Sequence, residues 1–226
     1  YFAYLKYQPK EMDYLMDAMT INVTEFFRDT AVFEVIEKRV IPELLSRKEA
    51  LSSRRVQVWS CGSSSGEEAY SILMLMAERL RSKLVDYRLT IHGTDIDNQA
   101  LAKANEGVYE ASQFKNLPEN WMKLVNKYFY NMENRRFWIR EEWPPFMNFH
   151  YRDVIADIPL EHMDVILCRN LLIYFGRDLQ EQVMERFWTS LVKGGFLILG
   201  NVESIWGGLK DKFVEYDRKA RIYVKK

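Results

Sequence analysis

The chain has 226 residues, with 32 Lys+Arg against 32 Asp+Glu, so its formal net charge is zero. Hydrophobic residues make up 48% and aromatic residues 14%, which excludes whole-chain disorder and suits one large α/β domain or one domain with an appendage. A neutral balance without a polybasic block argues against a protein that holds nucleic acid mainly by neutralising phosphates.

Residues 1–18 carry apolar and aromatic side chains at helical spacing, broken by Pro9. Met19–Thr24 is short and β-branched, and Glu25–Leu45 reads as helix. Ser52–Arg55 looks like a linker, after which the pattern changes. Val56–Trp59 predicts a strand, Gly66–Leu80 a helix, Arg88–Gly93 a strand and Asn98–Asn105 a helix. Phe149–Tyr151 is a third strand candidate. Met163–Cys168 predicts a buried strand, Asp178–Val192 a helix and Gly195–Leu199 another buried strand. Lys212–Tyr216 and Ala220–Val224 read as an antiparallel edge hairpin. Residues 117–149 interrupt the alternation: they are rich in aromatics, contain Pro144-Pro145, and place Asn134-Arg135-Arg136 between two short β-like runs.

The pattern predicts an α/β fold, a doubly wound and mostly parallel sheet covered on both faces. An N-terminal helical segment with its linker occupies about residues 1–50, the sheet domain residues 51–226, and a small antiparallel β-subdomain is inserted at about 117–147. Cys61 and Cys168 are too few for a disulfide framework and read as buried, reduced thiols of a cytosolic protein. The apolar run Ser71–Ala77 falls far short of the roughly 18 residues that span a bilayer, and the start shows no signal-peptide pattern. With no initiator Met and helical periodicity already running at Tyr1, the chain reads as a fragment or processed form.

In open parallel sheets ligands bind beyond the carboxyl ends of the strands. After the first strand comes Ser60-Cys61-Gly62-Ser63-Ser64-Ser65-Gly66-Glu67-Glu68, a small-residue loop that lets a ligand approach the backbone and empties onto a helix N-terminus. It lacks the full G-x-G-x-x-G, and Ser65 with Glu68 matches a capping box. The paired acids disfavour a diphosphate and suit a cationic group. After the second strand, Asp97 or Asn98 can cap the next helix, which leaves Asp95 at the strand end, where a carboxylate can hold a ribose diol. NAD and S-adenosylmethionine both use such an acid, and Glu68 favours the second, whose methionine tail carries an ammonium. Asp153 and Val154 after the third strand can meet an adenine or form a plain surface loop. Arg169, directly after an apolar strand, needs a partner or a task. Asn22 or Thr24 can cap a helix starting near Glu25.

Together these residues resemble the chemotaxis receptor methyltransferases, the CheR family of S-adenosylmethionine-dependent protein-glutamate O-methyltransferases. The resemblance is carried by Asn22-Val23-Thr24-Glu25-Phe26-Phe27-Arg28, by Val58-Trp59-Ser60 with Gly66-Glu67-Glu68-Ala69-Tyr70-Ser71-Ile72, by Thr94-Asp95-Ile96-Asp97 and by Cys168-Arg169-Asn170-Leu171-Leu172-Ile173-Tyr174-Phe175. Lys193-Gly194-Gly195-Phe196 and Gly200-Asn201-Val202-Glu203-Ser204 extend it, over roughly residues 5–225.

The resemblance implies a class I, Rossmann-like methyltransferase fold and S-adenosylmethionine as cofactor, with S-adenosylhomocysteine as product and no metal. It implies that Asn22, Thr24 and Arg28 reach over the cofactor, that Gly62 belongs to the loop beneath it, and that Glu68 holds the methionine ammonium. Asp95 would hold the ribose hydroxyls, Asp153 and Val154 would meet the adenine, and Arg169 and Asn170 would line the pocket. Arg28 and Tyr174 would stand beside the transferring methyl as catalytic residues. The implied partner is the cytoplasmic domain of methyl-accepting chemotaxis receptors, with no nucleic acid and no membrane insertion, and the enzyme would act in the cytoplasm as a monomer. Family members that dock on a receptor's C-terminal peptide tend to carry a longer, Gly-containing loop in the insert. Asn131-Met132-Glu133-Asn134-Arg135 has no glycine, which implies work without that tether. His150-Tyr151-Arg152 and Gly200-Asn201-Val202-Glu203 depart from the commonest family wording.

The alternative is an S-adenosylmethionine-binding regulatory or signalling module without receptor methylation. A nucleic-acid methyltransferase is disfavoured by the neutral charge and the lack of an Asn/Asp-Pro-Pro-Tyr-like motif. A NAD oxidoreductase is disfavoured by the incomplete glycine set.

Overall fold

Five strands run parallel through the middle of the chain. They are β1 (Arg55–Cys61), β2 (Arg88–Asp95), β6 (Met147–Tyr151), β7 (Met163–Cys168) and β8 (Leu191–Leu199). With β9 (Phe213–Asp217) and β10 (Ile222–Lys225) they form a seven-stranded sheet in the order β6-β2-β1-β7-β8-β10-β9, in which β10 is antiparallel to both its neighbours. The computed structural model describes residues 24–132 and 135–226, together with Tyr4 and Tyr7. The expectations for residues 1–18, and for Asn22, lie outside these residues apart from those two tyrosines.

Central position explains the apolar strands. Every residue of β7 is buried, as is every residue of β1 after Arg55. Alternation along each strand sorts the side chains onto two faces. Val58, Leu167 and Ile198 face one core, which they share with Ile36, Val40, Leu44, Leu73 and Met74. Trp59, Ile166, Cys168, Leu197 and Leu199 face the other, with Val183, Met184 and Phe187.

Helix α1 (Thr30–Val35) continues through a π turn (Ile36–Val40) into α2 (Ile41–Ala50), and both pack on the first face with α3 (Glu67–Leu80). The short α4 (Asn98–Glu106) lies between β2 and the insert, and α5 (Glu119–Tyr128) lies within the insert. Helix α6 (Arg177–Ser190) covers the second face. Cys61 and Cys168 are free, buried and opposite each other in the register of β1 and β7. No helix among the described residues is long and apolar enough to cross a membrane.

Three expectations need correction. The first helix starts at Thr30 rather than Glu25: residues 25–29 form a turn with left-handed backbone at Phe27 (φ 51°) and Asp29 (φ 59°). Thr24 therefore caps no helix, and its hydroxyl bonds to Glu67. The Ser65/Glu68 capping box does not form. Gly66 is the N-cap of α3, with left-handed backbone and no side-chain cap, and the Ser65 hydroxyl donates to the Glu67 carboxylate instead. Asp97, by contrast, caps α4 by accepting from the Gln99 and Ala100 N–H groups.

The insert is also larger than predicted. Its three-stranded antiparallel sheet, ordered β3-β5-β4, draws β3 (Val108–Glu110) from before residue 117, beside β4 (Phe129–Met132) and β5 (Arg136–Ile139). Three residues are too few to show a period of two, so β3 left no sequence signal. The aromatics of the insert form a packed mini-core: Tyr109, Phe114, Trp121, Phe129 and Phe137 are all buried.

Candidate functional site

The site forms where the loops after β1, β2 and β7 meet the turn before α1. Two aromatic anchors place that turn. Phe26 stacks on Phe114 (centroids 4.5 Å apart) and meets Tyr109 edge-on at 4.8 Å. Phe27 stacks on Trp121 at 4.2 Å, and its N–H donates to the Ser71 hydroxyl at 3.0 Å. Arg28 follows directly, so its place depends on the mini-core of the insert.

Arg169 is the hub. It leaves the carboxyl end of β7 with its side chain only 2% exposed, and a charge so buried needs compensation. Its guanidinium pairs with Asp29 at 2.5 Å, reaches Glu68 at 3.3 Å and donates to the main-chain carbonyl of Arg28 at 2.9 Å. Glu68 also accepts from the Ser60 hydroxyl at 2.7 Å. Burial raises the Glu68 carboxyl above its ordinary range, against the pull of Arg169 and the Ser60 hydrogen bond. Arg169, Glu68, Ser60, Asp29 and the Arg28 backbone therefore form one connected cluster.

Asp95 closes β2. Its Oδ2 accepts from the Ser64 N–H at 2.7 Å and its Oδ1 from the Asp97 N–H at 3.1 Å, while the Gly62 and Ser63 N–H groups donate to the Thr94 carbonyl. Burial raises its carboxyl, and the N–H groups of Ser64, Asp97 and Ile96 oppose that rise. Gly62 has left-handed backbone (φ 74°), and a Cβ there would lie 3.2 Å from the Leu171 side chain. Two loops touch at Gly62, and a larger residue would part them.

The remaining predicted residues fall as follows. Asn170 follows Arg169 with left-handed backbone (φ 62°), and its Oδ1 is buried without a hydrogen-bond partner among the described residues. Tyr174 ends a 3-10 turn (Leu172–Tyr174) and is 56% exposed. Asp153 serves its own loop, Oδ1 accepting from the Ile155 and Ala156 N–H groups, and Val154 is half-buried against the second core. Thr24 lines a neighbouring polar cleft of about 650 Å³, with Ser64, Ser65, Glu67, Tyr109 and Gln113.

Sequence reasoning missed Asp29, Ser60, Gln113 and Glu203. Gln113 donates to Glu67 at 2.7 Å, and Glu203 accepts backbone N–H groups from two loops. Ser60 and Glu203 lie in segments that carry the resemblance, and Gln113 forms a capping box with Glu110, but nothing local marks any of the four for this site. The one available signal was Arg169, whose need for partners was legible but whose partners were not.

The donor set suits an adenosyl sulfonium with a methionine tail. Glu68 and Asp95 supply acceptors for an ammonium and a diol. Ser63 Oγ, Arg169 Nε and Asn170 Oδ1 are buried polar atoms that lack a hydrogen-bond partner among the described residues. A family model described as "CheR methyltransferase, SAM binding domain" matches residues 22–222. The chain belongs to the CheR family. It is an S-adenosylmethionine-dependent methyltransferase.

CheR-family relatives cover most of it. The "Chemotaxis protein methyltransferase" of Borreliella burgdorferi is 30% identical over 89% of this chain and 70% of its own length. The "Probable chemotaxis protein methyltransferase" of Rhizobium etli is 34% identical over 88% of this chain and 74% of its own. "Chemotaxis protein methyltransferase 2" of Vibrio cholerae is 33% identical over 91% and 70%.

Proposed function

We propose that this CheR-family chain methylates glutamate carboxylates on chemotaxis receptors, forming methyl esters that serve sensory adaptation and leaving S-adenosylhomocysteine. The observation that carries the reading is the buried cluster of Glu68, Arg169 and the Arg28 backbone beside Asp95. It joins an ammonium acceptor and a ribose acceptor to the segment that bears a second arginine. The family match and the names of the relatives support it.

When bound, S-adenosylmethionine supplies an electrophilic methyl on a sulfonium. In this reading Glu68 holds the ammonium and Asp95 the ribose hydroxyls. Both carboxylates have lone pairs beyond those used by Ser60, Arg169, Ser64 and Asp97. Gly62 keeps the loop low, Asp153 and Val154 meet the adenine, Arg169 and Asn170 line the pocket, and Asn22 and Thr24 reach over it.

The acceptor carboxylate, with an ordinary pKa of about 4.3, is already ionised near neutrality, so no general base is needed. Arg28 orients it by a charge-assisted contact that also damps its nucleophilicity. Tyr174 stands beside the acceptor and keeps water from it.

The partner in this reading is the cytoplasmic domain of the receptor, engaged by a monomer in the cytoplasm without a tethering peptide, and without metal or nucleic acid. Residues 1–50 are then the tail of a helical domain with its linker, and residues 51–226 hold the cofactor.

The test is incubation with methyl-labelled cofactor and receptor cytoplasmic fragments. The expected product is label that mild base releases as methanol. Tight cofactor binding with no transferred label would replace the reading by that of a regulatory module. Base-stable label on RNA would replace it by that of a nucleic-acid methyltransferase.

A further inference from the structure

Glu203 lies in the turn after β8 and is 4% exposed. Its carboxylate collects three backbone N–H groups. Oε2 accepts from Gly200 at 2.6 Å and from Asn170 at 3.0 Å, and Oε1 accepts from Leu172 at 2.8 Å. Buried main-chain donors left unpaired are costly, and a carboxylate is the side chain that can accept several at once.

Two of the three donors belong to the loop after β7. Asn170 holds a left-handed backbone that asparagine tolerates but other side chains rarely adopt, and Glu203 grips its N–H. The Leu172 N–H opens the 3-10 turn that ends at Tyr174. The junction has no slack: a Cβ on Gly200 would lie 2.7 Å from Glu203 Oε2 and 2.9 Å from the Asn170 nitrogen. Glu203 is close enough to Glu68 to push its carboxyl upward.

We propose that Glu203 is a positioning residue for methyl transfer, fixing through three backbone N–H groups the loop that presents Asn170 and Tyr174 to the cofactor site. The proposal rests on the methyltransferase reading above. Asn170 Oδ1 is a buried acceptor with no hydrogen-bond partner among the described residues, and Glu203 decides where that acceptor stands. A glutamine of the same shape keeps one carbonyl oxygen. It can serve either the Gly200–Asn170 pair or Leu172, and its NH2 then confronts the remaining N–H.

The test is calorimetric titration of wild type, Glu203→Gln, Gly200→Ala and the double variant with S-adenosylhomocysteine, with stoichiometry counting the competent fraction. Gly200→Ala crowds the same junction with the carboxylate in place, and it carries the test where Glu203→Gln lowers the folded fraction. Expected are full stoichiometry, affinity about 10-fold weaker in each single variant, and a double variant no weaker than the worse single.

Wild-type affinity in Glu203→Gln, losses that add in the double variant, or reduced stoichiometry at unchanged affinity would each overturn the proposal; the last marks a purely structural brace. A wild-type chain that fails to bind would overturn the methyltransferase reading itself, and this proposal with it.

Discussion

The Arg169 guanidinium donates to the main-chain carbonyl of Arg28 at 2.9 Å, joining residues 141 positions apart. The same group pairs with Asp29 and Glu68, so one buried cation holds the turn before α1 against the start of α3.

Removing that cation leaves two carboxylates uncompensated. Arg169→Met is expected to lower stability by about 3 kcal/mol near pH 8. Burial already holds the Glu68 carboxyl above its ordinary range, and Arg169 opposes that rise. A carboxyl with a raised folded pKa favours the fold at low pH and loses that contribution as pH climbs through its folded value. The deficit of the variant should therefore be smaller near pH 5 than near pH 8. Urea unfolding at both values checks it, and a loss of equal size at both would count against the Glu68 pairing.

Asp95→Ala is expected to abolish cofactor binding, since it removes the carboxylate proposed to hold the ribose diol and strands the Ser64 and Asp97 N–H groups. Titration with S-adenosylhomocysteine reads it directly. Unchanged affinity would remove Asp95 from the ribose role.

Tyr174→Phe tests the acceptor side. The residue is 56% exposed, so stability should move by less than about 0.5 kcal/mol. Cofactor affinity should hold while single-turnover methyl transfer slows by about 10-fold, or about 1.4 kcal/mol in the barrier. A variant with both quantities unchanged would show that the phenol takes no part.

Phe26→Ala probes the anchoring of Arg28 from a distance. The ring is 1% exposed among Tyr109, Phe114 and Phe129, and its loss should cost about 3–5 kcal/mol in chemical denaturation. Well below its unfolding midpoint, the folded variant should also bind cofactor more weakly. Intact affinity would show that the turn bearing Arg28 holds its place without the mini-core.

His92 sets an acid limit. Burial, with His150, Arg152 and Arg55 nearby, lowers its pKa from 6.5 to about 4. Its Nε2 faces Gln57 Oε1 at 3.1 Å and its Nδ1 faces Asn148 Nδ2 at 3.3 Å, an arrangement that fits the neutral ring protonated on Nε2. The unfolded chain takes up the proton near pH 6.5 and the folded chain only near pH 4, so stability falls as pH drops between those values, by about 1–2 kcal/mol for a half-buried ring that solvent partly screens. Above pH 6.5 the group contributes no slope. Thermal unfolding of His92→Gln should show a shallower acid limb than wild type, and an identical limb would assign the slope elsewhere.

Much of the sheet was legible because its signals are local. Met163–Cys168 is an unbroken apolar run because β7 is covered on both faces, and the structure keeps those bounds. Asp97 shows as a cap because its partners lie two and three residues ahead. The β3 strand was not legible, being three residues long and paired with β5 across an intervening helix. Nor was the true start of the first helix, since Phe27 and Asp29 adopt left-handed backbone under the pull of Trp121 and Arg169. Local propensity would have continued the helix there, and tertiary contacts overrode it.

By itself the sequence determined the α/β class, the strand ends where a ligand must lie, and the residue types Glu68, Asp95 and Arg169 that suit a cationic, ribose-bearing ligand. Periodicity and strand-end chemistry are written within a few residues of one another, so they survive without a structure. Only the tertiary structure decided that Arg169 closes on Asp29, Glu68 and Arg28, that the aromatic insert clamps the turn before α1, and that Glu203 grips two loops at once. Those pairings join positions up to 141 residues apart, and burial of charge and backbone N–H groups selects them only after the sheet has brought them together.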